Sequence, residues 1–143
     1  MKNKKLILYI HGWNSYAGAR KALLLQDMLK NNSDFEVASI TLDSHPRHAI
    51  NQLEKIIEKE IKTRKVNLIG SSLGGYYATF LSEKYDLKAA MINPAVSAYK
   101  IFKNDRKHWG NVVKCWGMLE HVINCYKMSV ATGRAPFDLT SKY

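Results

Sequence analysis

The sequence predicts an α/β fold, a parallel sheet of about four strands with helices on both faces, in a single domain of 143 residues. Three observations carry that expectation. Between residues 6 and 92, short apolar runs alternate with stretches of helical period, and right-handed crossovers fold such an alternation into a parallel sheet. The first run, Leu6-Ile-Leu-Tyr-Ile10, is continuously apolar, as in a strand covered on both faces. A Gly-x-Ser-x-Gly sequence, Gly70-Ser71-Ser72-Leu73-Gly74, stands where a strand should give way to a helix.

Taken in order, Leu6 to Ile10 is the first strand. A helix from about Ala17 to Lys30 follows, with Ser15 as its cap and Leu24, Leu25, Met28 and Leu29 as its inner face. Phe35 to Leu42 reads as the second strand. Ile50, Leu53, Ile56, Ile57 and Ile61 recur at helical spacing, which predicts a second helix over about Arg47 to Thr63, just after Pro46. Val66 to Ile69 is the third strand, Leu73 to Glu83 the third helix, and Ala89 to Ile92 the fourth strand, closed by Asn93-Pro94. From about Ala98 the pattern changes. Trp109, Val112, Trp116, Leu119, Ile123 and Tyr126 recur at steps of three and four, giving one long amphipathic helix. The single domain 1–143 thus divides into a core, 1–96, and a divergent helical tail, 97–143.

A chain of this length buries enough surface to need no disulfide or metal staple. With 46% hydrophobic and 24% charged residues it falls among ordinary globular domains, which excludes disordered and collagen-like classes. The apolar run at the start is too short for a signal peptide, and no later run reaches the ~20 residues of a membrane helix, so a cytoplasmic protein is expected. Cys115 and Cys125 share the tail helix, where ten residues at a rise of 1.5 Å set them ~15 Å apart, beyond disulfide reach. The net charge of +10 raises nucleic acid as a partner. No basic stripe with interleaved aromatic residues accompanies it. Lys55, Lys59 and Lys62 alternate with Glu54, Glu58 and Glu60, the pattern of a solvated helix face with i,i+4 pairs, so nucleic-acid binding is not expected.

Chemistry concentrates at the carboxyl ends of the strands, in the loops His11 to Ser15, Asp43 to His48 and Gly70 to Gly75. In Gly70-Ser-Ser-Leu-Gly74 the central Ser72 would occupy a sharp, strained turn that exposes its hydroxyl as a nucleophile, with Gly70 and Gly74 removing side chains that would collide. The Leu73 amide, at a helix N-terminus, would stabilise an oxyanion. The bland alternative is a glycine-rich turn that binds nothing, or a phosphate. Neither Gly-x-x-x-x-Gly-Lys-Ser/Thr nor Gly-x-Gly-x-x-Gly is present, which weighs against a nucleotide. His11-Gly12 after the first strand lets the backbone cross the top of the sheet, so that the Trp13 amide becomes the second oxyanion donor. The His11 imidazole is expected to support that loop and not to take a proton.

His11-Gly-Trp-Asn-Ser15, Gly70-Ser-Ser-Leu-Gly-Gly-Tyr-Tyr-Ala-Thr79, Leu81-Ser-Glu-Lys-Tyr85 and Ile92-Asn-Pro-Ala-Val96 resemble the YqiA-type short esterases of the α/β-hydrolase superfamily over residues 6–96. The resemblance implies a minimal α/β-hydrolase-like three-layer sandwich and hydrolysis of an ester or thioester through an acyl-enzyme. Carried over by residue, Ser72 matches the nucleophile and the amides of Trp13 and Leu73 match the oxyanion hole. No cofactor or metal is implied. Strand order 2-1-3-4 follows if Ser72 is to stand beside the loop of the first strand.

Beyond residue 96 the resemblance stops. Family members continue through two further strands that carry the acid and then the histidine, whereas here no histidine follows Asp138. The candidate bases are His108 and His121 on the tail, with His45 and His48 behind them, and Asp105 and Asp138 are weaker candidates for the acid. A second reading is therefore kept: a shortened or impaired relative that uses the same pocket for binding. The partners expected are a small acyl ester or thioester and, through the tail helix or an uncovered sheet edge, a second copy of the chain.

Overall fold

The computed structural model describes residues 4–95, and the tail expectations, including Trp109 to Tyr126, lie outside them. The elements run β1 (Lys5–Ile10), α1 (Arg20–Leu29), β2 (Phe35–Ser39), α2 (Pro46–Glu60), β3 (Val66–Ser71), α3 (Leu73–Tyr85) and β4 (Lys88–Ile92). All three strand pairings are parallel, in the order β2-β1-β3-β4 that the sequence predicted. The register sets Ile10 beside Gly70 and Ser71 beside Ile92, which brings the exits of β1, β3 and β4 to one edge.

Because β1 to β2 steps one way along the sheet and the next two crossovers step the other way, right-handed connections put α1 on one face and α2 and α3 on the opposite one. The core lies on the second face. Leu6, Leu8 and Ile10 of β1 pack there with Leu53 and Ile57 of α2 and Leu73, Tyr77 and Leu81 of α3. The alternate β1 positions, Ile7 and Tyr9, are also buried, as the unbroken apolar run required. Further along the α1 face, Ile7, Ile69 and Ala90 line an open groove, with Lys5, Lys65 and Lys88 at its amino end.

Pro46 occupies the first turn of α2, where its missing N–H costs nothing, and Ile50, Leu53 and Ile57 recur on the buried face. The α2 carboxylates do not pair with Lys55, Lys59 or Lys62 as their spacing suggested, and the i,i+4 pair that forms is between Glu60 and Arg64. Glu54 instead reaches Lys84 at 2.6 Å, and Glu58 accepts the Tyr85 hydroxyl at 2.7 Å, tying α2 to α3. Ile61, expected on the buried face, follows the last turn and is exposed.

The first helix departs most from expectation. It begins at Arg20, its N-cap is Ala19 with no side-chain cap, and Ser15 remains in the preceding loop. Ala22, Leu25 and Leu29 share the sheet-facing side at i, i+3 and i+7. Leu24 and Met28, expected inside, fall on the other side at 56% and 71% exposure. No helix among the described residues is long and apolar enough to cross a membrane.

Candidate active site

Ser72 stands alone between the last residue of β3 and the first of α3, and its backbone is held at φ 54°, ψ −118°. Residues with side chains rarely adopt such a conformation, and it costs about 1–3 kcal/mol unless the surroundings fix it. Here they do. The Ser72 amide donates to the Ile92 carbonyl at 3.0 Å, and its carbonyl accepts the amides of Ala95 at 2.9 Å and Gly75 at 3.0 Å. The exit of β4, with Asn93 also at positive φ, therefore clasps both sides of the serine. The side chain faces outward and forms no cap to the helix it precedes.

The glycines explain how the turn can be so tight. A Cβ on Gly70 would strike the Gly74 carbonyl, and one on Gly74 would strike the carbonyls of Ile10 and His11. What a side chain at either position would meet is backbone, and α3 seats directly on the exits of β3 and β1. Gly75 lies similarly close to Pro94, where a Cβ would come within 2.8 Å of the proline Cβ. A Cβ on Gly12 would stand 3.1 Å from the Ser72 Cβ and 3.6 Å from its Oγ, so the loop after β1 passes directly beside the hydroxyl.

His11 is 4% exposed, and both ring nitrogens are engaged. The Leu42 amide donates to Nε2 at 2.9 Å, which leaves the proton on Nδ1 to be donated to the Gly12 carbonyl at 2.7 Å. The imidazole thus bridges the loop after β1 and the loop after β2.

Leu73, as the first residue of α3, has an amide without an intrahelical acceptor, at the positive end of the helix dipole. Beside it a cleft of about 110 Å³ is lined by the loop His11 to Ser15, by Leu42, Asp43 and Ser44, and by Leu73 and Tyr77. Trp13 lies on its wall. Burial, and secondarily the Asp43 carboxylate, hold the Tyr77 phenol protonated well beyond its ordinary range.

The four candidate histidines separate. His48 faces Asp43 across 3.5 Å, and its ring stacks on His45 with centroids 4.7 Å apart. Neither hydrogen-bonds the Ser72 hydroxyl. His108, His121, Asp105 and Asp138 lie outside the described residues. Among the described residues no group of three or more His, Cys, Asp or Glu could hold a metal ion. Sequence reasoning passed over Asp43 and Tyr77. The signal was available, since Tyr77 follows Leu73 by four residues and so shares its helix face, while Asp43 opens one of the three loops already singled out.

Compared with known proteins, residues 6–126 match the uncharacterised protein family UPF0227. A UPF0227 protein of Citrobacter koseri is 29% identical over 100 residues, which are 66% of this chain and 53% of that protein. The chain thus spans about half the length of the curated relative it matches. Among solved structures, Est1E from Butyrivibrio proteoclasticus with ferulic acid bound superimposes at a TM-score of 0.59 and 16% identity, over 73% of this chain and 48% of that one. Est1E alone gives 0.57 and 17%, over 71% and 45%. The likeness shows a shared α/β-hydrolase fold.

Proposed function

The chain belongs to the UPF0227 family, and for its site we propose a serine hydrolase that cleaves a carboxylic ester or thioester through an acyl-enzyme on Ser72. One observation carries the reading: an exposed serine in a strained turn, held by backbone bonds alone at the junction of β3 and α3, with the loop of Gly12 beside its hydroxyl. The α/β-hydrolase fold shared with Est1E supports it.

In this reading Ser72 Oγ loses its proton to a base and bonds to the substrate's carbonyl carbon. The resulting oxyanion is met by the amides of Leu73 and Trp13. Collapse breaks the bond to the alcohol or thiol, which takes up the proton, and water then releases the acid by the same steps. The base is proposed to be His108 or His121 of the tail.

A second reading, a binding protein with an impaired site, is favoured by one observation. No imidazole among the described residues hydrogen-bonds Ser72. Without a base, positioning and the oxyanion hole leave only ~10³–10⁴ over the reaction in water. Incubation with a fluorophosphonate decides between them. The hydrolase reading expects a single adduct, which peptide mass spectrometry places on Ser72 and not on Ser71. A chain that stays unlabelled under conditions that label a serine esterase favours the second reading.

A further inference from the structure

The cleft beside Ser72 holds a polar group that the reaction outlined above does not use. Tyr77 is 2% exposed, one helical turn beyond Leu73, and lines the cleft. Its hydroxyl hydrogen-bonds no described residue, and although the side chain is buried the oxygen itself is not sealed from solvent. By contrast, the partly buried Tyr85 on the same helix has its hydroxyl satisfied by Glu58. Around Tyr77 the walls are apolar at Trp13, Leu42 and Leu73, with Asp43 as the charged group. Asp43 is itself fixed, since its Oδ1 accepts the His45 amide at 2.7 Å and its own amide donates to Gln52.

A donor at the end of a buried side chain, unpartnered and open to a cleft, is a place prepared for an acceptor. We propose that the cleft takes the acyl chain of a short, uncharged, hydroxyl-bearing ester, with the Tyr77 phenol donating to the substrate hydroxyl and Asp43 turning carboxylates away. The proposal rests on the hydrolase reading for the identity of the acyl group. Size agrees, because at roughly 20–30 Å³ per atom, the scale of a water's share of liquid volume, about 110 Å³ holds about four or five non-hydrogen atoms. A hydroxybutyryl chain fits that space. Burial keeps the phenol protonated throughout the neutral range, so it acts as a donor there.

The test separates binding from chemistry. In the full-length chain carrying Ser72→Gly, which keeps the positive φ without strain, methyl 3-hydroxybutyrate, methyl butyrate and monomethyl succinate are titrated by NMR. The hydroxy-ester is expected to bind about 3- to 10-fold more tightly than the butyrate, the range of one neutral hydrogen bond. Adding Tyr77→Phe should bring that ratio to about one, with melting used to verify that the variant is folded. The succinate should bind worst and gain about 3- to 10-fold when Asp43→Asn is added. Equal binding of the hydroxy-ester and the butyrate, or a preference that survives Tyr77→Phe, overturns the proposal. In the unmodified chain, the p-nitrophenyl esters of the same hydroxy-acid and of butyrate should show the same ratio in kcat/KM. Failure of Ser72 to be labelled or to turn over either ester would sink the hydrolase reading alone, because the binding titration still decides what the cleft prefers.

Discussion

Nε2 of His11 accepts the Leu42 amide at 2.9 Å, so the loop after β1 is fixed to the loop after β2 by an imidazole that is itself almost wholly buried. The two loops supply most of the wall of the cleft beside Ser72. With Nδ1 bonded to the Gly12 carbonyl, the ring has no nitrogen left with which to serve Ser72 as a base.

Removing that ring should be costly. His11→Ala leaves the Leu42 amide and the Gly12 carbonyl without their partner, and an orphaned buried group costs about 1–3 kcal/mol. Urea unfolding should show a loss in that range. A loss under about 0.5 kcal/mol would mean that water replaces the imidazole freely and that the tether is incidental.

Two glycine substitutions should differ sharply. In Gly74→Ala the new methyl meets the carbonyls of Ile10 and His11, which cannot move without shifting β1 away from α3. Overpacking of this kind costs ~1–3 kcal/mol or more. In Gly18→Ala the new methyl meets only the Tyr16 ring, an exposed side chain that can swing aside, so the change should stay within about 0.5 kcal/mol. Thermal melts of the two variants give the comparison.

Truncations on two helices test which faces are inside. Leu53 of α2 is fully buried, and Leu53→Ala should destabilise by ~2–5 kcal/mol. Met28 of α1 is largely exposed, so Met28→Ala should fall within about 0.5 kcal/mol. A large effect at Met28 in the full chain would show that something covers the outer side of α1.

Alkaline pH should weaken the fold through Tyr77. Its proton is retained in the folded state, chiefly by burial and then by Asp43, to a pH above the ordinary tyrosine value of 10.0. Below that value both states hold the proton and stability is unaffected. Above it the unfolded chain releases the proton and the folded chain does not, so the folded state binds more protons and stability falls as pH rises. Tyr85 adds a decline of the same sign. Urea midpoints at pH 9 and pH 11 should therefore drop less for Tyr77→Phe than for the unmodified chain. Identical drops would mean that Tyr77 releases its proton as readily in the folded chain as in the unfolded one.

The strand order and the serine turn were legible because each is written in local sequence. An unbroken apolar run at Leu6 to Ile10 has few other homes than an inner parallel strand, and Gly70 and Gly74 mark where backbones must touch. The family match covers those residues, in agreement with the resemblance drawn from them, and it runs on to residue 126, past residue 96 where the resemblance was expected to stop. The inner face of α1 was not legible. Three consecutive leucines, Leu23 to Leu25, offer a helix several ways to face a sheet, and in the fold the side that carries the buried Ala22, with Leu25 and Leu29, turns inward while Leu24 and Met28 are exposed. Nor could sequence show how the strain at Ser72 is contained, since Ile92 and Ala95 reach that residue from twenty or more positions away.

That clasp gives the site an order of assembly. During synthesis Gly70 to Gly74 leaves the ribosome well before Ile92, and at that stage the hydroxyl has no reason to stand out, because the turn lacks both the acceptor of its amide and one of the donors to its carbonyl. A fragment ending at Tyr85 would contain the whole Gly-x-Ser-x-Gly sequence and still not hold it in shape. The segment that makes the serine what it is lies outside the motif by which the serine is recognised.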